Sequence, residues 1–122
     1  MTEIQPDNIS TDTVYYKNLV KNSRESVKKN IELYNINAIQ KIKDSELYTY
    51  NYNTETDSNK KHIGFIIGDN GGNYKTPTEV INETREGIDV DNMTSILWKA
   101  VQEQQEIIEN LQKQIDELKG EK

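Results

Sequence analysis

The residues that could do chemistry lie in the stretch KNSRESVKKNI at positions 21–31, where Ser23 precedes Lys28 by five residues. A serine hydroxyl and a lysine amine can act together as nucleophile and general base. The same spacing arises easily by chance in a chain rich in lysine, and a solvated basic segment is the alternative interpretation. Spacing alone does not decide between the two.

Geometry limits how these two side chains can meet. On a helix, residues five positions apart lie about 140° apart, and on a strand they face opposite ways about 16 Å apart. Ser23 and Lys28 can therefore meet only across a bend, at a helix start, or across a subunit boundary.

The other residues with chemical potential give weaker signals. Glycines at 68, 71 and 72 are not followed by Gly-Lys-Ser/Thr or by a helix start, which favours a turn over a phosphate loop. His62 is the only histidine and the chain has no cysteine, so we expect no transition-metal site and no cofactor. For His62 by itself, the pattern favours a strand-end residue hydrogen-bonded to the adjoining loop.

Composition narrows the class of protein. The 122 residues allow at most one domain plus appendages. A net charge of −6 argues against nucleic acid or an anionic membrane as the main partner. The segment MTEIQPDNIS lacks the apolar region of a signal peptide, and no apolar run approaches the ~20 residues of a membrane span.

The apolar content is low for a domain that folds alone. Hydrophobic residues make up 33% of the chain and the mean hydropathy is −0.91, whereas soluble domains carry about 45–50% apolar residues, counting glycine. Either part of the chain is disordered, or its core is shared between chains.

The C-terminal sequence favours a shared core. Apolar residues recur at alternating spacings of four and three, which is typical of a coiled-coil seam. We expect a helix of about 29 residues that is capped by Asp91 or Asn92 and ends at Gly120. The alternative is an amphipathic helix packed on its own domain. The seam consists of Leu97, Val101, Gln104, Ile108, Leu111, Ile115 and Leu118.

The heptads alone leave a dimer and a trimer open. β-Branched residues at a with Leu at d favour two strands in parallel coils. Met93, Ala100 and Ile107 fall at g, however, and Trp98 falls at e beside the stripe. The apolar stripe is then too broad for a dimer seam, and its width favours a trimer. Gln104, at d, costs stability but can fix the register.

The middle of the chain predicts an α+β body. NAIQKI shows helical spacing, YTYNY alternates with a strand period, and KHIGFII is β-branched and aromatic, so the last two are expected to pair as a hairpin. EVINETREGIDV offers two further short strands around Glu86-Gly87. The predicted fold is α+β, with a helix and β-hairpin body at 23–90 and a long coiled-coil helix at 91–122.

Four stretches in a fixed order carry a resemblance: SRESVKKNI, ELYTYNY, KHIGFIIGD with TPTEVI after it, and GIDVDNMTSILWKAVQEQ. Over roughly residues 23–118 the chain resembles the C-terminal intramolecular chaperone domain of phage tail fibres and tailspikes, classed as peptidase family S74 around the endosialidase tailspikes. Myelin regulatory factor carries a relative of it. The motifs HIGFIIGD, TP and SILWKAVQE look like the form in phages and prophages of Gram-positive bacteria.

The resemblance implies specific roles. Family members trimerise, drive folding of the fibre ahead of them, and often cut themselves at a serine near the domain start, which reads roughly Ser-Asp-x-Arg-Leu-Lys-x-Asn-Ile. Without gaps, the nucleophile falls on Ser23 and the dyad lysine on Lys28, while the histidine before Gly-Phe-Ile falls on His62 in a supporting role. The chain departs from the pattern at Arg24, where the family has an acidic residue, and at Ser26, where it has arginine.

The implied chemistry is a single self-cleavage by a serine-type endopeptidase at Asn22–Ser23. Ser23 Oγ attacks the Asn22 carbonyl and forms an ester that water then hydrolyses. Lys28 must be neutral to take the hydroxyl proton, which requires burial or nearby cations such as Arg24 and Lys29. Backbone N–H groups must stabilise the oxyanion.

The implied partners are two further copies of the chain and the upstream fibre or spike domains, with residues 1–22 as the last fibre segment or a linker. The implied location is the virion tail, after assembly in the host cytoplasm. The alternative function is a structural trimerisation cap that stays on the fibre and never cuts.

Overall fold

The structure is a computed structural model that describes residues 11–69 and 71–120. The chain divides into two compact units, with the boundary between Tyr34 and Asn35. In the first unit the described residues, 11–34, form no helix or strand apart from one short 3-10 helix at Glu25–Val27. Each of these residues is exposed, so this stretch has no apolar core of its own.

The second unit begins with helix α1, Ala38–Asp44, which confirms the helix predicted from NAIQKI. The Asn37 side chain accepts a hydrogen bond from the Gln40 N–H at 3.1 Å, as an N-cap residue does. At the other end the Ser45 hydroxyl donates to the Ile42 carbonyl at 2.7 Å, and Ser45 is extended, which ends the helix.

The predicted hairpin is confirmed. Strand β1, Tyr48–Tyr50, pairs antiparallel with β2, His62–Gly64, and Tyr50 lies opposite His62. Tyr48 and Tyr50 are half-buried, whereas Thr49 between them is exposed. This alternation follows from the two-residue period of a strand.

The two strands predicted in EVINETREGIDV are wrong in their extent. A 3-10 helix occupies Thr78–Val80, and only one isolated bridge joins Ile81 to Ile88. The Asn82 side chain accepts hydrogen bonds from the N–H groups of Glu86 and Gly87, at 3.2 and 3.1 Å. This side chain closes the connection as a tight turn, so a longer ladder does not form.

Helix α2 spans Val90–Gly120 and its 31 residues confirm the long C-terminal helix. Its N-cap is Asp89, not Asp91 or Asn92 as predicted, because Asp89 Oδ1 accepts the Asn92 N–H at 3.0 Å. The Asp89 N–H is itself bonded to the Val80 carbonyl at 2.7 Å. That tertiary contact places the start of the helix one residue before Asp91.

The core of the second unit lies between the first third of α2 and the part of that unit that precedes the helix, residues 35–89, which is called the body from here on. Ala38 and Val80 are buried against Ile96 and Ala100 of α2, and Met93 is partly buried on the same cluster. Ala100 and Met93 are two of the g positions that broadened the apolar stripe. They face the chain's own body, so the argument from stripe width to three strands is wrong at these positions.

Beyond Glu103 every described residue of α2 is exposed. The two interpretations of this helix, a coiled-coil seam and an amphipathic helix packed on its own domain, therefore apply to different parts of it. Nearly half of it, as far as Glu103, packs on its own domain, as the amphipathic alternative predicted. Its remainder has an apolar stripe that nothing in the described chain covers.

Candidate serine–lysine site

The structure brings Ser23 and Lys28 together within one chain. Lys28 Nζ lies 2.5 Å from Ser23 Oγ, to which it donates a hydrogen bond. The 3-10 helix at Glu25–Val27 lies between them, and its flanking residues Arg24 and Lys28 are both extended. Of the three arrangements that the spacing allowed, the structure has a bend.

Local hydrogen bonds account for this bend. The Lys28 N–H bonds to the Glu25 carbonyl at 3.1 Å, which closes the single helical turn. The Asn22 side chain accepts from the Arg24 N–H at 3.4 Å, a side-chain turn that Asn commonly forms. Asn30 adopts a left-handed conformation with φ 55°, which redirects the chain after the site.

The surroundings of the pair are open and cationic. Both side chains are exposed, and the adjoining groove of about 650 Å³ is shallow. Three cations and one carboxylate line that groove, and its full lining is Arg24, Glu25, Ser26, Lys28, Lys29, Asn30 and Ile31. Of the two conditions that make a lysine a base, the single chain supplies nearby positive charge but no burial.

The predicted mechanism also requires backbone N–H groups that stabilise the oxyanion. The Arg24 N–H, next in sequence to the nucleophile, is already engaged by the Asn22 side chain. In this arrangement it is not free to point at an oxyanion. The oxyanion part of the predicted mechanism stays a prediction.

His62 lies in the second unit, at the start of β2. Its Nε2 is 3.0 Å from Glu55 Oε1, and its ring stacks on Tyr50 with centroids 5.4 Å apart. Glu55 also accepts the Tyr52 N–H at 2.7 Å. That backbone bond, followed by the bond with His62, lowers the pKa of the Glu55 carboxyl below its usual range.

The contact with Glu55 matches the interpretation of His62 as a strand-end residue bonded to its loop. Its supporting role in cleavage stays a prediction. Sequence reasoning missed Glu55, because one carboxylate in the polar loop TETDSNKK carries no signal of spacing. The structure shows its role, because the loop folds back and brings the Glu55 carboxylate to His62.

The glycines at 68, 71 and 72 form a turn, as predicted. The Gly72 N–H bonds to the Asp69 carbonyl at 3.0 Å, and Gly71 has φ 83°. No helix begins between residues 71 and 77. Across the described ranges there is no group of three or more acidic or histidine side chains that could hold a metal ion.

The predicted seam of α2 is exposed in the single chain. Its six apolar residues are each 45–66% exposed, and Gln104 is exposed as well. Trp98, beside the seam, is 71% exposed. None of the helices in residues 11–69 and 71–120 is both long and apolar enough to cross a membrane.

Comparison with protein families gives one finding. Residues 23–69, less than half of the chain, match the family model of Peptidase S74, described as chaperone of endosialidase. The match confirms the resemblance to endosialidase-type chaperone domains and indicates an intramolecular chaperone domain. Comparisons with curated proteins and with solved structures found no match.

Proposed function

We propose that this chain is the intramolecular chaperone and trimerisation domain of a phage tail fibre or spike, and that it cuts itself once at Asn22–Ser23 after assembly. The observation that carries the proposal is the 2.5 Å hydrogen bond from Lys28 Nζ to Ser23 Oγ. The family match also begins at Ser23, which supports residue 23 as the domain start.

The cleavage step balances without a cofactor. Ser23 Oγ forms a bond to the Asn22 carbonyl carbon while its proton passes to neutral Lys28. The C–N bond then breaks, and Lys28 returns the proton to the leaving amine, which becomes the new N-terminus. Water hydrolyses the ester that is left, and this separates residues 1–22 from the domain.

Association through α2 is supported by how its side chains are distributed. In two-stranded parallel coils, e and g commonly hold Glu and Lys. Here, between residues 97 and 118, the a, d, e and g positions hold no charged residue. All charges lie at b, c and f: Lys99, Glu103, Glu106, Glu109, Lys113, Asp116 and Glu117. Beyond Glu103, where the chain's own body does not cover the helix, this broad uncharged face supports a bundle of three helices.

The first unit supports a role next to a fibre. Large apolar side chains between residues 14 and 34 are 42–96% exposed, with Leu33 and Tyr15 the most open. An apolar stretch with no core of its own needs cover from other chains or from the fibre that precedes it. We therefore place residues 1–22 as upstream fibre or linker.

Timing follows from the exposure of the dyad. Cations already lie near Lys28, but water screens charges around an exposed side chain, so burial is still needed for the pair to act. Assembly can supply that burial, so cleavage is expected to wait for the trimer. A cleaved chain is then one whose folding and assembly are complete.

Intact mass and light scattering of the purified protein test the proposal together. We expect three chains per particle and a product of 100 residues, which is 122 minus 22. Ser23→Ala should leave the trimer uncut, whereas the matched Ser26→Ala should cut normally. A monomer at micromolar concentration would overturn trimerisation, and cutting at Asn22–Ser23 in Ser23→Ala would overturn the nucleophile.

The second candidate is a trimerisation cap that never cuts and stays on the virion fibre. The observation that favours it is the exposure of both Ser23 and Lys28, together with Arg24 and Ser26 at positions where the family differs. A trimer that contains only intact chain after prolonged incubation would support the cap and exclude self-cleavage.

A further inference from the structure

Trp98 is the only tryptophan of the chain, and it is 71% exposed beside the seam of α2. It lines an apolar groove of about 600 Å³ along one side of the helix, with Leu97, Val101 and three polar neighbours. A large aromatic ring in an apolar groove is typical of an anchor residue in an interface.

Met93 lies on the other flank of the same seam. It packs against the buried cluster of Ala38, Val80, Ile96 and Ala100, yet it is only partly buried. Part of its side chain is therefore open beside the body that it helps to hold. A methionine side chain adapts its shape and makes favourable contacts with aromatic rings.

The heptad positions of these two residues bring them together across a subunit boundary. Met93 occupies g and Trp98 occupies e of the next heptad. In parallel helices in register, a g residue of one helix flanks the seam opposite the following e residue of its neighbour. Trp98 of one chain then meets Met93 of the next, and within one chain the two positions are about 140° apart.

We propose that Trp98 of each chain docks on Met93 and the adjoining body of a second copy, so that assembly completes the core of every body. This inference rests on the proposed association through α2. It adds that the helix of one chain stabilises the body of its neighbour. The body is then fully covered only in a parallel bundle with the correct register.

Tryptophan fluorescence tests the docking on the unmodified protein, because Trp98 is the sole reporter. Relative to Leu111→Asp, which is designed not to associate, the assembled protein should emit at shorter wavelength and be quenched less by acrylamide. An assembled protein whose Trp98 is as accessible as in Leu111→Asp would overturn the docking and leave the proposed function intact. Wild-type protein that does not associate would overturn both.

Engineered cysteines identify the partner residue, since the chain has none of its own. In the Met93→Cys, Trp98→Cys double variant, oxidation should link chains into trimers on a non-reducing gel. A link within one chain is excluded, because these Cα atoms are about 9 Å apart on the helix. The matched Met93→Cys, Lys99→Cys variant, with position f facing away, should stay unlinked. Equal linking in both variants, or none in the first, would overturn the contact.

Discussion

The carboxylate of Glu103, on α2, accepts a hydrogen bond from the backbone N–H of Ala38, the first residue of α1, at 2.9 Å. Its second oxygen accepts the Ile39 N–H at 3.3 Å, and Asn37 accepts the N–H of Gln40. The first three N–H groups of α1, which no helical carbonyl can satisfy, are thus all bonded. One carboxylate on the long helix holds the start of the short one.

Removal of this carboxylate should destabilise the body. Glu103→Ala leaves two N–H groups beside the buried Ala38 without an acceptor, which should lower the free energy of unfolding by about 1–3 kcal/mol. Glu103→Gln keeps one acceptor oxygen and should lie in between. Chemical denaturation at fixed protein concentration measures the change. Glu106→Ala, at an exposed f position, is the control, and equal stability of the two Ala variants would contradict the cap.

The amine of Lys28 should set the rate of self-cleavage. Lys28→Met keeps most of the aliphatic stem and removes the base, so the cut at Asn22–Ser23 should slow by about 10²–10⁴-fold or more. The time course of intact chain by mass spectrometry gives the rate. Lys60→Met, which removes an exposed lysine of the loop TETDSNKK outside the groove beside Ser23 and Lys28, should cut within a few-fold of wild type. Equal rates in the two variants would assign the base elsewhere.

A charge in the seam should show whether the chemistry at Ser23 and Lys28 depends on assembly. Leu111→Asp places a carboxylate from every chain in the core of the bundle, at a cost of several kcal/mol from desolvation and repulsion. Light scattering should show loss of the trimer, and cleavage should stop although Ser23 and Lys28 are unchanged. Asn110→Asp adds the same charge at c and should still assemble and cut. A monomeric Leu111→Asp that cuts at the wild-type rate would show that cleavage does not wait for assembly.

Acid should weaken the body through Glu79. The hydrogen bond from Lys41 Nζ, at 2.9 Å, is the main cause that lowers the pKa of this carboxyl below its ordinary value of 4.5. A carboxyl whose pKa is lower in the folded state stabilises the fold above its unfolded pKa, and this contribution disappears as the pH falls through the folded value. The stability difference between wild type and Glu79→Gln should therefore be constant above about pH 5 and shrink below pH 4.5. In Glu83→Gln, which removes an exposed carboxylate, the same difference should stay near zero. A difference for Glu79→Gln that does not change with pH would contradict this role.

The turn after the hairpin should not tolerate a side chain at residue 68. A Cβ on Gly68 would lie 1.8 Å from the Gly72 carbonyl oxygen, which is backbone and cannot rotate away. Gly68→Ala should therefore cost about 1–3 kcal/mol through backbone displacement, measured as a fall in thermal midpoint. At Gly120 a Cβ meets nothing within 4 Å, so Gly120→Ala should leave the midpoint unchanged. Identical midpoints for the two variants would show that the turn is loose.

Local patterns in the sequence determined most of the elements of this protein. The three-and-four spacing of apolar residues predicted both helices, and the alternation in YTYNY together with the β-branched HIGFII predicted the hairpin. The Ser23–Lys28 spacing was likewise informative, because two side chains five residues apart can meet only across a bend, at a helix start or across a subunit boundary, and the structure has the bend. These patterns can be recognised in the sequence because each depends on residues that are close along the chain.

Contacts between distant residues were decided only by the tertiary structure. Periodicity shows that α2 has an apolar face, but not that Met93 and Ala100 are covered by the chain's own body while Leu111 is left open. The bond from Ala38 to Glu103 joins residues 65 positions apart, and the Asp89 cap depends on its contact with Val80. No spacing encodes such partners, because they depend on how elements pack and which backbone groups that packing leaves to be satisfied.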